Sequence, residues 1–167
     1  MLYKTTVPSP VGLLTLTSDG EALTGLWIEG QTHPCAELPG AVYSSGEIPL
    51  WAPVRQWLED YFSGKQPDLS GIPLKAEGTP FRQQVWRLLC GIPSGSVTTY
   101  RAIARRISPT MAPQAVGGAV GHNPIAILIP CHRVVGQGGR LVGYSGGLAI
   151  KEALLQLEQA DLLHPLP

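Results

Sequence analysis

Near the start of the chain, hydrophobic and polar positions alternate with a period of two. Leu13, Thr15 and Thr17 interleave with Leu14, Leu16 and Ser18, Asp19-Gly20 supplies a turn signal, and strand character resumes from Leu23 to Ile28. The first thirty residues therefore read as an antiparallel β-meander. Residues 30–49 are rich in Gly, Pro and Ser and read as loop. The period then lengthens. Val54, Trp57, Leu58, Tyr61 and Phe62 recur at helical spacing, and Gly64 with Pro67 ends that helix. Residues 63–78 read as a connection between two parts.

The second part opens on Thr79-Pro80, an N-cap followed by proline at the first helical position. Phe81, Val85, Trp86, Leu88 and Leu89 form one apolar stripe that ends at Gly91. A further helix is expected over Thr99–Ile107, with Tyr100, Ile103, Ala104 and Ile107 on one face. Ser108-Pro109 breaks it, and another helix runs from about Pro113 to Val120, closed by Gly121. The pair is a helix-turn-helix candidate, a pattern that ordinary helical hairpins share. Ala115, Gly117, Gly118, Ala119 and Gly121 leave the second helix almost without bulk, at a cost of roughly 1 kcal/mol per glycine. Close approach of a DNA groove and close packing of a neighbouring helix account for this equally well. Ile125 to Ile129 is apolar throughout and reads as a buried strand or extended segment, ended by Pro130. Val134 to Val142 reads as a turn between two short extended pieces, and a last helix spans about Leu148 to Gln159. The expected class is α+β, with a small N-terminal α/β domain and linker over 1–77 and a mainly helical domain over 78–167.

Composition narrows the classes. No apolar run reaches the length of a membrane span, and the start lacks the features of a signal peptide, so a soluble, cytoplasmic protein is expected. Cys35, Cys90 and Cys131 are an odd, sparse set that argues against a disulfide framework. His33 and Cys35 are too few for a zinc site by themselves. The net charge is zero but unevenly spread. Residues 1–77 hold four basic and nine acidic side chains, and residues 78–167 hold eight basic and three acidic. Between Gly78 and Lys151 there is no Asp or Glu. A half that faces a polyanion fits this asymmetry, as does a merely solvated basic face.

The chemistry centres on Pro130-Cys131-His132-Arg133-Val134. A cysteine is a nucleophile as thiolate, and neighbouring His or Arg lowers its pKa. A lone cysteine is equally a small buried hydrophobe. The peptide Ile129 to Val134, IPCHRV, resembles the active-site signature of the O6-alkylguanine-DNA alkyltransferase family. The likeness extends in order and spacing over residues 78–158, through GTPFRQQVWRLL at 78–89, the segment 94–104, VGGAVGHNPIAILIP at 116–130 and the segment 143–158. The N-terminal third resembles the family's smaller α/β domain more loosely.

The resemblance implies roles for particular residues. Cys131 resembles the alkyl acceptor, His132 the base that draws its proton through a water, and Glu158 the carboxylate that holds the histidine tautomer. Asn123 resembles the asparagine bracing the active-site turn, and Tyr100 the tyrosine beside the DNA backbone. Val134 and Cys131 would offer carbonyls to the guanine amine, Tyr144 and Ser145 would cover the base, and Arg133 is expected among the substrate-binding residues. One departure stands out. The family usually has Arg where this chain has Gln114, the residue that replaces the flipped nucleotide in the stack, although Arg101, Arg105 or Arg106 could fill that place.

The implied reaction is single-turnover transfer from O6 of guanine, with O4 of thymine as a related target. It needs no cofactor or metal. The implied partner is double-stranded DNA carrying O6-alkylguanine, met by a monomer in the cytoplasm or nucleoid, or in a nucleus. Three rival readings fit less of the chain. A non-catalytic lesion-binding module of the same fold would lack the acceptor cysteine. A cysteine hydrolase would usually draw its histidine from a distant part of the sequence. A plain helix-turn-helix binder leaves IPCHRV unexplained.

Overall fold

A computed structural model describes residues 1–31 and 38–167, so His33 and Cys35 lie outside the described residues. The chain divides into two compact units, Met1–Glu77 with Pro124–Ala126, and Gly78–Asn123 with Ile127–Pro167.

In the first unit, β1 (Leu2–Val7), β2 (Leu14–Ser18) and β3 (Leu23–Ile28) form the expected antiparallel meander. The Asp19 carboxylate accepts from the Glu21 and Ala22 amides, which fixes the β2–β3 turn while Gly20 takes φ +98°. Leu14, Leu16, Leu23, Leu26 and Ile28 are fully buried. Strict alternation fails at Thr17 and Ser18, where a register shift lets both be buried. β4 (Tyr43–Ser44) pairs parallel to β1, giving sheet order β3-β2-β1-β4, where the sequence suggested only loop. Helix α1 (Trp51–Phe62) buries Trp51, Val54, Trp57, Leu58 and Tyr61. The connection after it is partly pinned along the β3 edge, since the Leu23 amide donates to the Pro73 carbonyl and the Leu23 carbonyl accepts from the Lys75 amide.

In the second unit, α2 (Pro80–Cys90) is capped by the Thr79 hydroxyl, which accepts from the Arg82 amide. A two-residue strand, β5 (Thr98–Thr99), leads into α3 (Tyr100–Ile107), whose first turn is capped by Thr99. Helix α4 (Pro113–Gly121) packs against α3, and Trp86 of α2 donates to the Ala119 carbonyl over 2.8 Å. β6 (Val134–Val135) pairs parallel to β5. The second extended piece expected before Val142 is absent. Gln137–Gly139 coils into a 3-10 turn, with Gly138 and Gly139 at positive φ. Helix α5 (Leu148–Leu157) ends one or two residues early, with Glu158 as its C-cap. The chain beyond it returns to β5, where the Leu166 amide donates to Val97 and its carbonyl accepts from Thr98.

The segment from Ile125 to Ile129 is not the expected strand. Only Ile125 bridges to a strand residue, Leu26, and the next residues turn, with Ile127 at φ +71°. All five are buried, so periodicity could not separate a buried strand from a buried turn. Asn123 closes the turn by donating from its side chain to the Ile129 carbonyl, in place of a strand neighbour.

Candidate active site

Cys131 begins a 3-10 turn, Cys131–Arg133, directly after the turn closed by Asn123. Its amide donates to the Ile129 carbonyl over 2.8 Å, and its side chain is 3 % exposed. Burial pushes the thiol pKa up, while the Asn123 amide, the Lys151 charge and the Tyr144 hydroxyl favour the ionised form. The resting sulfur is therefore a protonated thiol in surroundings already arranged for its thiolate.

His132 is completely buried. Its Nε2 lies 2.6 Å from Glu158 Oε2, and its Nδ1 has no hydrogen-bond partner among the described residues. Burial lowers the His132 pKa against the opposing pull of Glu158. Burial alone would raise Glu158, but bonds from His132 and Arg133 hold it at about 2. The consistent state is a neutral imidazole with Nε2–H donating to a carboxylate, which leaves Nδ1 with a free lone pair.

Arg133 is held by partners within the protein. Its guanidinium donates to Glu158 Oε1 from Nε over 2.7 Å, to Oε2 over 3.1 Å, and to the Ile92 carbonyl over 2.7 Å. These bonds hold the carboxylate and tie it to Ile92, just beyond α2.

Tyr100, at the start of α3, donates from its hydroxyl to the Val142 carbonyl over 3.1 Å. Burial and the negative charge of an ionised Cys131 push its pKa up to about 12. Val134 and Tyr144 also lie in this region, Val134 in β6 and Tyr144 with its hydroxyl towards the thiol. Ser145 is half-buried in the turn that leads to α5. Gln114 stands apart, exposed in the first turn of α4. Adding a Cβ to Gly118 or Gly121 would meet nothing within 4 Å, so internal packing does not demand these glycines.

Lys151 was missed in the sequence. It is fully buried on α5, and its ammonium donates to the carbonyls of Val134 (2.6 Å), Val142 (3.1 Å) and Gly143 (3.1 Å). Burial lowers its pKa to about 8. The signal was its place on the stripe of Leu154 and Leu155, where a lysine breaks the apolar face. Among the described residues no group of three or more His, Cys, Asp or Glu could hold a metal ion, and no helix is long and apolar enough to cross a membrane.

Two family models match the chain: 6-O-methylguanine DNA methyltransferase, ribonuclease-like domain, over residues 2–76, and 6-O-methylguanine DNA methyltransferase, DNA binding domain, over residues 80–160. The chain is 46% identical over 158 residues to the methylated-DNA–protein-cysteine methyltransferase of Haemophilus influenzae, covering 95% of this chain and 87% of that one. It is 40% identical over 162 residues to the protein of the same name from Methanosarcina barkeri, covering 96% and 99%. The crystal structure of Mycobacterium tuberculosis OGT in complex with DNA superimposes with a TM-score of 0.84 at 40% identity, covering 94% of this chain and 92% of that one.

Proposed function

Because the chain belongs to the 6-O-methylguanine DNA methyltransferase family, we propose that it repairs double-stranded DNA by moving an alkyl group from O6 of guanine onto the sulfur of Cys131, once per molecule. The same chemistry extends to O4 of thymine. The observation that carries this reading is the buried relay from Glu158 to His132, 2.6 Å at Nε2, beside a buried thiol.

The steps follow from the charges. The target nucleotide leaves the stack, because O6 is out of reach inside a duplex. His132 Nδ1 takes the Cys131 proton through a bridging water, and Glu158 stabilises the imidazolium that forms. The thiolate attacks the alkyl carbon. A C–S bond forms, the C–O6 bond breaks, and its electron pair passes to the guanine ring. Net, the thiol proton replaces the alkyl group on the base. Tyr100 donates towards the base as negative charge develops on it, and Tyr144 and Ser145 cover it. The product is a thioether with no carbonyl for water to attack, so the thiol is not regenerated.

Asn123 and Lys151 act on the sulfur by favouring its ionised form. Arg133 positions Glu158. The small surface of Gly118 and Gly121 lets a DNA groove approach the α4 backbone closely, with little side-chain reading of bases. The protein acts as a monomer wherever the DNA is: the cytoplasm or nucleoid, or the nucleus of a eukaryote. A non-catalytic lesion binder has no use for the Glu158–His132 relay.

Intact mass and peptide mapping after incubation with a duplex holding one O6-methylguanine test the reading. One methyl group per protein, on Cys131, is expected. Repeated turnover, or label on Cys35 or Cys90, overturns it.

A further inference from the structure

Outside the Cys131 arrangement, the second unit carries a cleft of about 540 Å³, lined among others by Tyr100, Arg101, Arg105, Met111, Pro113 and Gln137. Arg101 and Arg105 lie four residues apart on α3 and so share one side of the helix. Both are exposed, and neither makes a hydrogen bond or ion pair among the described residues. Arg55 and Arg133, by contrast, are each paired with a glutamate. No acidic side chain lines the cleft. Like charges at this spacing oppose helix formation. The pair therefore adds nothing to the stability of the free protein, and an anion lodged between them relieves the repulsion.

Two further observations give the cleft a direction. Tyr100 lines it, and the same tyrosine donates to the Val142 carbonyl, two residues before Tyr144. Pro113 lines the cleft too, next to Gln114. The cleft thus borders both the tyrosine that holds the Val142 carbonyl and the residue preceding Gln114, where this chain lacks the family's arginine.

We propose that the cleft is a phosphate track. Arg101 and Arg105 clamp the backbone of the DNA strand bearing the target nucleotide, and they supply the positive charge that Gln114 does not. The proposal rests on the reading of the chain as a DNA alkyltransferase. It assigns DNA affinity to α3 rather than to the nearly featureless α4.

The test measures affinity for an undamaged duplex across a salt series, so it does not depend on alkyl transfer. For the Arg101→Gln/Arg105→Gln double variant, the affinity at about 50 mM salt should fall about tenfold or more, and the slope of log K against log salt should become shallower by about 2, since each lost phosphate contact removes about 0.9. Arg82→Gln/Arg87→Gln, on α2 and outside the cleft, should keep wild-type affinity within about twofold, although it removes the same net charge. Wild-type affinity and slope in the cleft variant overturn the proposal. So does an equal loss in both pairs, which would reduce the effect to net charge. A wild-type protein that binds duplex DNA with the expected slope but never alkylates Cys131 overturns the alkyltransferase reading instead, and leaves the phosphate track standing.

Discussion

The Lys151 ammonium donates a 2.6 Å hydrogen bond to the Val134 carbonyl, joining the buried face of α5 to the strand that follows Cys131. Its other two bonds hold the Val142 and Gly143 carbonyls, just ahead of Tyr144. One side chain thus spans the strand and the loop between which the base is proposed to sit. Lys151→Met keeps the length and loses the donor. It should cost about 1–3 kcal/mol of stability from carbonyls left without a partner. Transfer should slow about a hundredfold through misplacement of the loop. Thermal melting and single-turnover rates check both, and a normal rate would make Lys151 purely structural.

The relay predicts a shared loss. Glu158→Gln keeps the shape but weakens the hold on the imidazolium, and His132→Ala removes the base. Each should slow transfer about a hundredfold or more. The double variant should lose little beyond the worse single one, because the two act as a unit. Additive losses, measured in single-turnover assays, would contradict the relay.

Acid should destabilise the protein in two stages. His132 has its pKa lowered from the ordinary 6.5, so the unfolded chain takes up this proton first and stability falls as pH drops below about 6.5. Glu158 is held at about 2 instead of 4.5, so its contribution is present above 4.5 and is lost as pH falls towards 2. The melting temperature should therefore be level near neutrality and decline below about 6.5, and His132→Asn should blunt the first stage. Transfer should persist below the ordinary histidine range, because the base remains neutral there. Melting curves and rate profiles against pH measure both effects.

Gly139 tests the turn between β6 and the covering loop. It sits at φ +82°, and an added Cβ would collide with the Leu162 carbonyl. Gly139→Ala should destabilise by about 1–3 kcal/mol, while Gly118→Ala, with open space around it, should be neutral or stabilising. Denaturant melts of the two variants separate the cases.

Gln114 offers one side-chain amide where an arginine would offer five donors and a charge. Extrusion of the nucleotide costs a few kcal/mol and should be the weak step. Gln114→Arg should then speed repair of duplex DNA more than it speeds reaction with free O6-benzylguanine, which is already unstacked. Equal gains on both substrates, or none on the duplex, would show that Gln114 is a bystander.

The meander and the helices were legible along the chain, and so was Cys131 as the candidate nucleophile. These are local matters. Leu14 and Leu16 alternate at the period of a strand, Thr79-Pro80 and Thr99 cap at fixed offsets, and IPCHRV is contiguous. Resemblance in order and spacing also pointed to Glu158, Asn123 and Tyr100, which spacing alone could not have placed near Cys131. What depends on distant chain segments meeting came from the packing alone. It turned Ile125–Ile129 from a strand into a buried turn, because the Asn123 side chain supplies the partner a strand would have needed. It gave Arg133 its partners, because Glu158 and the Ile92 carbonyl arrive from distant segments to meet its donors. It also made Lys151 central, because a lysine on an apolar stripe becomes a clamp only when three carbonyls from elsewhere converge on it. A pattern along the chain records which face is buried. Which polar groups meet inside is settled by the packing, where each buried donor must find an acceptor.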